Sequence, residues 1–196
     1  MQSLSHFIVI IEKRLKDTIK MSNGTELYLD SKYQEFEHRV NEGPVVSPPK
    51  KYNTGVKEGD TLYFHHHVVT QHGQPITGEK NHYFVLYDDK QAMMNQAICY
   101  KDKDTGEIHP LFGWTILEEI EKKEEEKKGL IEVVKLKEEL LTKAKIAFES
   151  DFTRDNGLKI GDIIGIPKKA NYRFKIDDKT YFRTRNEDLL YVEEQV

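Results

Sequence analysis

The sequence predicts an all-β protein in which one small unit occurs twice. The clearest sign is a glycine-rich hexapeptide found at residues 55–60 (GVKEGD) and again at residues 157–162 (GLKIGD). In both copies glycine permits the backbone angles of a tight turn, and the Gly-Asp pair opens a run of apolar and aromatic residues. The copies begin at residues 55 and 157 of a 196-residue chain, so they are separated by about half its length. This spacing predicts an internal duplication.

Two further matches follow the hexapeptides in the same order. Residues 83–90 align without a gap with residues 172–179, and both octapeptides begin with Tyr and end with Asp-Asp-Lys. Residues 97–100 (AICY) then correspond to residues 188–191 (DLLY). Isolated Gly-Asp pairs are common, but three matches in one order are hard to obtain by chance. We therefore expect the two halves to share one arrangement of strands.

Short β-branched and aromatic runs, bounded by turn residues, place the strands of the first half. Residues 16–38 lack a convincing period and contain the turn signal Ser22-Asn23-Gly24, which predicts a long loop. Residues 71–81 are expected to form the tip of a hairpin. The predicted strands of this half span residues 7–11, 45–46, 61–69, 82–87 and 97–101.

The second half repeats this order, beginning with a strand at residues 114–117 (WTIL) and ending with one at residues 186–192. Between these strands, residues 118–145 are rich in Glu, Lys and Leu, which favours an amphipathic helix. The corresponding part of the first half is poor helix sequence, and Gly129 interrupts the pattern. We therefore favour a loop over a helix for this segment.

Composition excludes several classes of function. With 37% hydrophobic and 33% charged residues, the chain is expected to be a soluble globular protein. A net charge of −4 argues against a general nucleic-acid binder. No apolar run approaches the roughly 20 residues of a membrane span. The single cysteine, Cys99, excludes an internal disulfide framework and suits the cytoplasm, and its apolar strand makes it a core residue rather than a nucleophile.

The order of strands, loop, Gly-Asp strand and hairpin resembles the co-chaperonin family (GroES-like). Residues 110–118 (PLFGWTILE) are similar to the opening segment and first strand of that family, and residues 4–13 are their diverged counterpart. Residues 158–164 (LKIGDII) resemble its Gly-Asp strand, and residues 186–192 its last strand. The resemblance implies two tandem small GroES-like β-barrels with long mobile loops, one in residues 1–108 and one in residues 109–196.

The resemblance also implies a function. Proteins of this family assemble into a ring that caps an ATP-driven chaperonin, and an apolar tripeptide in the mobile loop docks on it. Carried onto this sequence, the tripeptide falls on Leu27, Tyr28 and Leu29 in the first half. In the second half it falls on Ile131 and Val133, with Glu132 between them as a departure from the family pattern.

The expected protein is therefore a homo-oligomeric co-chaperonin of a GroEL-like partner, without enzymatic activity and without a cofactor. The segment before each Gly-Asp turn is short, so the family's roof hairpin is trimmed, as in phage versions of the fold. The family ring is sevenfold, which a chain with two units cannot fill evenly.

One alternative is a two-barrel scaffold or metal-binding protein with no chaperonin partner. Five histidines lie between His65 and His82, and His65 and His67 would share one face of a strand. No cysteine or spaced carboxylate completes a recognisable ligand set, so no metal site is expected. Zinc-dependent alcohol dehydrogenases contain a similar domain, but their cysteine ligands and Gly-rich dinucleotide loop are absent from this sequence.

Overall fold

The computed structural model describes residues 1–13, 18–20, 26–28, 36, 39–70, 74–120, 141–168 and 171–193. Two antiparallel sheets dominate this part of the chain and confirm that the protein is mainly β. The first sheet ends at residue 110 and the second begins at residue 114, so the sheets follow the two halves of the sequence. No helix within the described ranges has the length and apolar character needed to cross a membrane.

Nine strands of the first half lie among the described residues. They are β1 (Phe7–Ile10), β2 (Thr18–Lys20), β3 (Glu26–Tyr28), β4 (Glu42–Ser47), β5 (Thr61–Phe64), β6 (Gln74–Pro75), β7 (His82–Val85), β8 (Ala97–Lys101) and β9 (Ile108–Pro110). Strands β2 and β3 pair with each other. The other seven form one sheet in the spatial order β6-β7-β1-β4-β5-β8-β9. A short helix, α1 (His67–Thr70), follows β5 directly.

Within the described ranges, the second half contains six strands and one short α-helix. The strands are β10 (Trp114–Glu118), β11 (Lys143–Ile146), β12 (Ile163–Gly165), β13 (Tyr172–Ile176), β14 (Lys179–Arg185) and β15 (Tyr191–Val192). They form a sheet in the spatial order β13-β14-β10-β11-β12-β15. The helix, α2 (Asp151–Asp155), lies between β11 and β12.

The two sheets share one topology. The order β7-β1-β4-β5-β8 in the first sheet matches β14-β10-β11-β12-β15 in the second, and each pair in both series is antiparallel. In each half the first strand, β1 or β10, therefore lies between the next strand of the same sheet, β4 or β11, and a strand that returns from later in the chain, β7 or β14. The internal duplication expected from the hexapeptides is present in the arrangement of the strands.

The aspartates of the two hexapeptides close equivalent turns. The backbone N–H of Lys57 donates to Asp60 Oδ2 at 2.7 Å, and the backbone N–H of Lys159 donates to Asp162 Oδ2 at 2.8 Å. In each turn the aspartate N–H also donates back to the lysine carbonyl, at 3.2 Å and 3.1 Å. The aspartate is therefore part of the turn geometry in both halves.

The glycines before these aspartates join each turn to the neighbouring strand. Gly59 donates its N–H to the Val45 carbonyl and Gly161 donates to the Ile146 carbonyl, both at 2.8 Å. Their φ angles are +90° and +91°, a region that residues with a Cβ atom rarely adopt. Glycine is required at both positions because the turn that aligns the strands depends on this conformation.

Sheet pairing corrects the alignment of the later repeats. Strand β7 neighbours β1, but the strand that neighbours β10 is β14, not β13. The match of residues 83–90 with residues 172–179 is therefore wrong as a structural equivalence. The shared Asp-Asp-Lys misled the alignment, since in the second half it forms the β13–β14 turn, where Asp177 has a φ of +52°. The last strands match with an offset of one residue, because Tyr100 pairs with Leu62 while Val192 pairs with Ile164.

Two local predictions also differ from the structure. The strand expected over residues 61–69 ends at Phe64, and α1 replaces its second part. Val68 and Val69 are both buried in the first core, which adjacent residues of a strand cannot achieve because their side chains point to opposite faces. Helix α2 was not predicted. Its first turn is capped by Ser150, whose hydroxyl accepts the Thr153 N–H at 3.2 Å.

Apolar side chains join the two halves into one packed unit. One cluster lies within the first sheet and another within the second, while a third draws residues from both sheets. The buried members of this shared cluster are Tyr63, Ile98, Cys99, Ile116, Phe174, Ile176 and Tyr181. Trp114 adds a polar link, since its indole N–H donates to the Ala97 carbonyl at 2.9 Å. The halves are therefore held by a continuous core rather than by a linker alone.

Candidate functional site

The predicted docking tripeptide of the first half lies partly in a strand. Leu27 and Tyr28 belong to β3, where Leu27 pairs with Ile19 and Tyr28 pairs with Thr18 of β2. The expectation of an unbroken loop over residues 16–38 is therefore wrong, because a hairpin occupies part of it. Asn-Gly is a sequence signal that favours pairing of the segments on either side of it, although the sequence analysis took it only as part of a loop. Leu29 lies outside the described residues.

The docking residues of the second half, Ile131 and Val133, also lie outside the described residues, as does Glu132. Their position in the connectivity is nevertheless defined. They fall between β10 and β11, just as Leu27 and Leu29 fall between β1 and β4. The predicted docking residues of both halves therefore lie in the connection that joins the first strand of the common topology to the second.

The last strand of the shared topology has a further strand paired to its outer edge in the first half but not in the described part of the second half. In the first half β8 is followed outward by β9, and Leu111 donates its N–H to the Ile98 carbonyl at 2.9 Å. Leu111 is 4% exposed and belongs to the first core. Three residues before β1, the counterpart Leu4 is 73% exposed. Strand β15, which corresponds to β8, has no further strand outside it among the described residues.

The second core is correspondingly open at this edge. Leu190, Tyr191 and Val192 are exposed by 61%, 50% and 44%. Four further apolar residues that pack against the second core are only partly buried. They are Leu141, Leu158, Phe182 and Leu189. Strand β15 and Leu4 therefore remain exposed, although their counterparts in the other half, β8 and Leu111, are buried.

A cluster of three consecutive histidines lies where the halves meet. His65, His66 and His67 each place one ring nitrogen within 4.8 Å of the others, and their ring centroids are 4.3 to 4.7 Å apart. Tyr172 of the second half stacks on His65 at 4.3 Å. Its hydroxyl lies 2.9 Å from His66 Nδ1 and accepts the His66 backbone N–H at 3.2 Å.

The predicted pairing of histidines is corrected by this geometry. His65 and His67 do not share a strand face, because β5 ends at Phe64 and a helical turn follows. His82 lies on β7 and contacts the Lys80 carbonyl through Nδ1 at 2.8 Å, apart from the triple cluster. Residue 72 lies outside the described residues. The sequence placed His66 among the five candidate histidines but gave no sign of Tyr172, which lies far away in the chain.

Two arginines surround this cluster. The Arg183 guanidinium lies 3.8 Å from the Trp114 ring centroid and 5.0 Å from that of Tyr172, and Arg39 lies 5.3 Å from the Tyr172 centroid. The buried Nε of Arg183 has no hydrogen-bond partner among the described residues. Burial lowers the pKa of Arg183 to about 10, which leaves it charged at neutral pH.

Histidine 65 is uncharged at neutral pH. Burial, followed by the positive charge of Arg183, lowers the pKa of His65 to about 3. The neighbouring His66, His67 and Arg39 act in the same direction. A neutral imidazole keeps one nitrogen lone pair, so the cluster combines potential metal ligands with a positively charged surround.

The remaining titratable candidate is inert. Cys99 is fully buried in β8, and burial raises the pKa of its thiol well above the usual value. Its side chain packs in the core shared by the halves. The expectation that Cys99 is a core residue is confirmed.

No protein-family model matches the chain, and no curated protein matches it.

Proposed function

We propose that the protein is a co-chaperonin, a homo-oligomeric lid that caps a GroEL-like chaperonin ATPase and encloses substrate proteins for folding. It would act in the cytoplasm, without catalysis of its own, as a trimmed, phage-type member built from two tandem barrels. One observation carries the proposal. Both halves have a long connection at the same point of the same topology, residues 11–41 and 119–142, and the apolar docking pairs lie in these connections.

The chemistry of the docking residues fits weak, reversible binding. Alternate residues of an extended segment share a face, so a segment bound in that conformation would present Leu27 with Leu29, or Ile131 with Val133, as one apolar pair. Burying two aliphatic side chains contributes roughly 3–6 kcal/mol. Ordering a few connecting residues costs about 1–2 kcal/mol each, so a single segment binds weakly. Several segments on one assembly bind tightly through effective concentration.

Binding of this kind requires an oligomer, and the uncovered edge supports one. Inside the chain, the edge of β8 is covered by β9 and by Leu111, which follows β9 directly. A second copy placed head to tail would cover β15 in the same way with the segment that carries its Leu4. Such a heterologous contact produces a closed ring when its rotation closes. The exposed leucine and the exposed edge are therefore complementary surfaces of neighbouring copies.

Capture by a purified chaperonin tests the proposal. We expect full-length protein to bind a GroEL-like chaperonin in the presence of ATP or ADP and to dissociate when nucleotide is removed. Leu27→Asp combined with Leu29→Asp should abolish capture while the oligomer remains intact, because a charged pair cannot enter an apolar groove. Lys13→Asp, an exposed change in the same connection, is the matched control and should leave capture unchanged.

One result would refute the function, and two others would change the docking assignment. If no nucleotide condition yields a complex with the wild-type protein, the lid proposal fails. If the Leu27 and Leu29 double variant still binds while Ile131→Asp combined with Val133→Asp does not, docking belongs to the second connection alone. Capture that survives both double variants would discard the assignment of these segments.

A further inference from the structure

His65, His66 and His67 form a triple-histidine cluster that the proposed lid function does not use and that could bind a ligand. Its three imidazoles come together because the chain leaves β5 at Phe64 and turns at once into α1. The turn is closed by hydrogen bonds from the Val68 N–H to the His65 carbonyl and from the Val69 N–H to the His66 carbonyl, both at 3.0 Å. In a continued strand, His66 would point away from its neighbours.

We propose that His65, His66 and His67 form a binding site for one imidazole-preferring divalent metal ion, of the class of Zn²⁺ or Ni²⁺. One nitrogen from each ring lies within 4.8 Å of the other two, so small side-chain rotations bring all three to a common ion. Three nitrogen ligands leave a fourth position open for water or an exchangeable anion. None of the three histidines belongs to the segments assigned to chaperonin docking.

Tyr172 holds the cluster from the opposite half. Its ring stacks on His65 with an angle of 28° between the planes, and its hydroxyl contacts both the backbone and the ring of His66. A hydrogen bond to the non-coordinating nitrogen commonly orients a histidine ligand and fixes which nitrogen faces the metal. Tyr172 would therefore act as a positioning residue, and metal binding would strengthen the contact between the halves.

The local charge selects the kind of ion and its fourth ligand. The cluster contains only imidazole donors, and Mg²⁺ and Ca²⁺ bind through oxygen ligands, so these ions should not bind. The guanidinium groups of Arg39 and Arg183 flank Tyr172 and repel a cation. They also favour an anionic fourth ligand such as hydroxide, chloride or a carboxylate, which lowers the net charge of the site.

One hydrogen bond has to be given up on binding. The His67 backbone N–H donates to His65 Nδ1 at 3.3 Å, which places the lone pair of neutral His65 on that nitrogen. Coordination through Nδ1 replaces this long bond, and coordination through Nε2 requires the other tautomer. The bond is near the upper limit of hydrogen-bond length, so its loss is a small cost beside three metal–nitrogen bonds.

Calorimetric titration of untagged full-length protein with ZnCl₂ and NiCl₂ tests the site. We expect one ion per chain for either metal, no heat of binding with MgCl₂, and a higher unfolding temperature in the presence of Zn²⁺. His65→Ala and His67→Ala, made separately, should each weaken binding by at least about tenfold. His82→Ala and His109→Ala remove histidines outside the cluster and are the matched controls; they should bind like the wild type.

Two further measurements keep the test decisive if an alanine variant folds poorly. Tyr172→Phe preserves the aromatic stack and removes the hydroxyl, so it should weaken Zn²⁺ binding by about tenfold with little change in the metal-free fold. Co²⁺ should give the intense visible absorption of a four-coordinate site. The absence of wild-type binding, binding that survives loss of both His65 and His67, or binding abolished by His82→Ala would each overturn the proposal.

Discussion

Replacing Leu4 and Leu111 by alanine should separate assembly from folding. Both leucines lie three residues before the first strand of their half, but Leu111 is 4% exposed inside the first core and Leu4 is 73% exposed. Leu111→Ala removes a buried side chain and leaves a cavity, so the free energy of unfolding should fall by about 2–5 kcal/mol. Leu4→Ala should change the free energy of unfolding of the single chain by less than about 0.5 kcal/mol.

The same substitution at Leu4 should weaken the oligomer. Burying a leucine side chain between copies contributes about 1.5–3 kcal/mol, which corresponds to roughly a 10- to 100-fold change in dissociation constant. Urea denaturation at low protein concentration measures the first effect, and sedimentation velocity over a dilution series measures the second. Equal loss of stability in both variants, or a Leu4 variant that assembles like the wild type, would refute the head-to-tail arrangement.

Three further predictions concern the fold. Gly161→Ala should lower the free energy of unfolding by about 1–2 kcal/mol, measured by urea denaturation, because φ is +91° and no atom crowds an added Cβ; no loss would contradict the strained-turn explanation. Trp114→Phe should lower the free energy of unfolding by about 2 kcal/mol in the same assay, since it removes the indole hydrogen bond to the buried Ala97 carbonyl and shrinks a buried side chain, whereas Phe112→Leu at an exposed position should cost far less. When the pH falls from about 6.5 to about 4, the free energy of unfolding should fall less in His65→Gln than in the wild type. Urea denaturation in the presence of a chelator measures this difference.

The sign of the last prediction follows from the lowered pKa of His65. An unfolded histidine takes up a proton near pH 6.5, whereas His65 in the folded protein does so only near a pKa of about 3. Between these values the unfolded state binds more protons, so stability falls as the pH falls. Because His65 is only half-buried, we expect about 1 kcal/mol of this loss by pH 5. An unchanged acid profile in His65→Gln would show that another group is responsible.

The sequence identifies features that depend on local chemistry. The turns at Asp60 and Asp162 were predictable because glycine and aspartate define them without help from the rest of the chain. The strand at residues 97–101 was predicted with the bounds that β8 has. Helix α1 was missed because it is only four residues long and contains Val68 and Val69, which favour strands. The burial of both valines in one core decides its conformation, and only the tertiary structure shows this.

The histidine cluster shows why the rest of the candidate site could not be predicted. Its geometry depends on where β5 ends and on Tyr172, which lies 106 residues from His66 in the sequence. The pattern of alternation in a strand placed His65 and His67 on one face and gave His66, although a candidate, no position beside them. No single-sequence pattern reports that a strand from the other half stacks on these rings. The residues were visible as a group, but their convergence was not.

The shared core also constrains how copies of the chain can assemble. Because residues of both halves pack in one cluster, the rotation that relates the first half to the second is fixed within each chain. If the contact between copies repeats the contact between halves, every step around the assembly has this same rotation. A closed ring then contains an even number of halves, since each chain adds two. Under the proposed lid function this excludes a ring of seven halves. Seven chains of two halves each would instead place two apolar segments at every position of a sevenfold chaperonin, so only one of each pair would need to dock. A native mass measurement gives the number of chains in the assembly, and a protein that remains a single chain would contradict the repeated contact between copies.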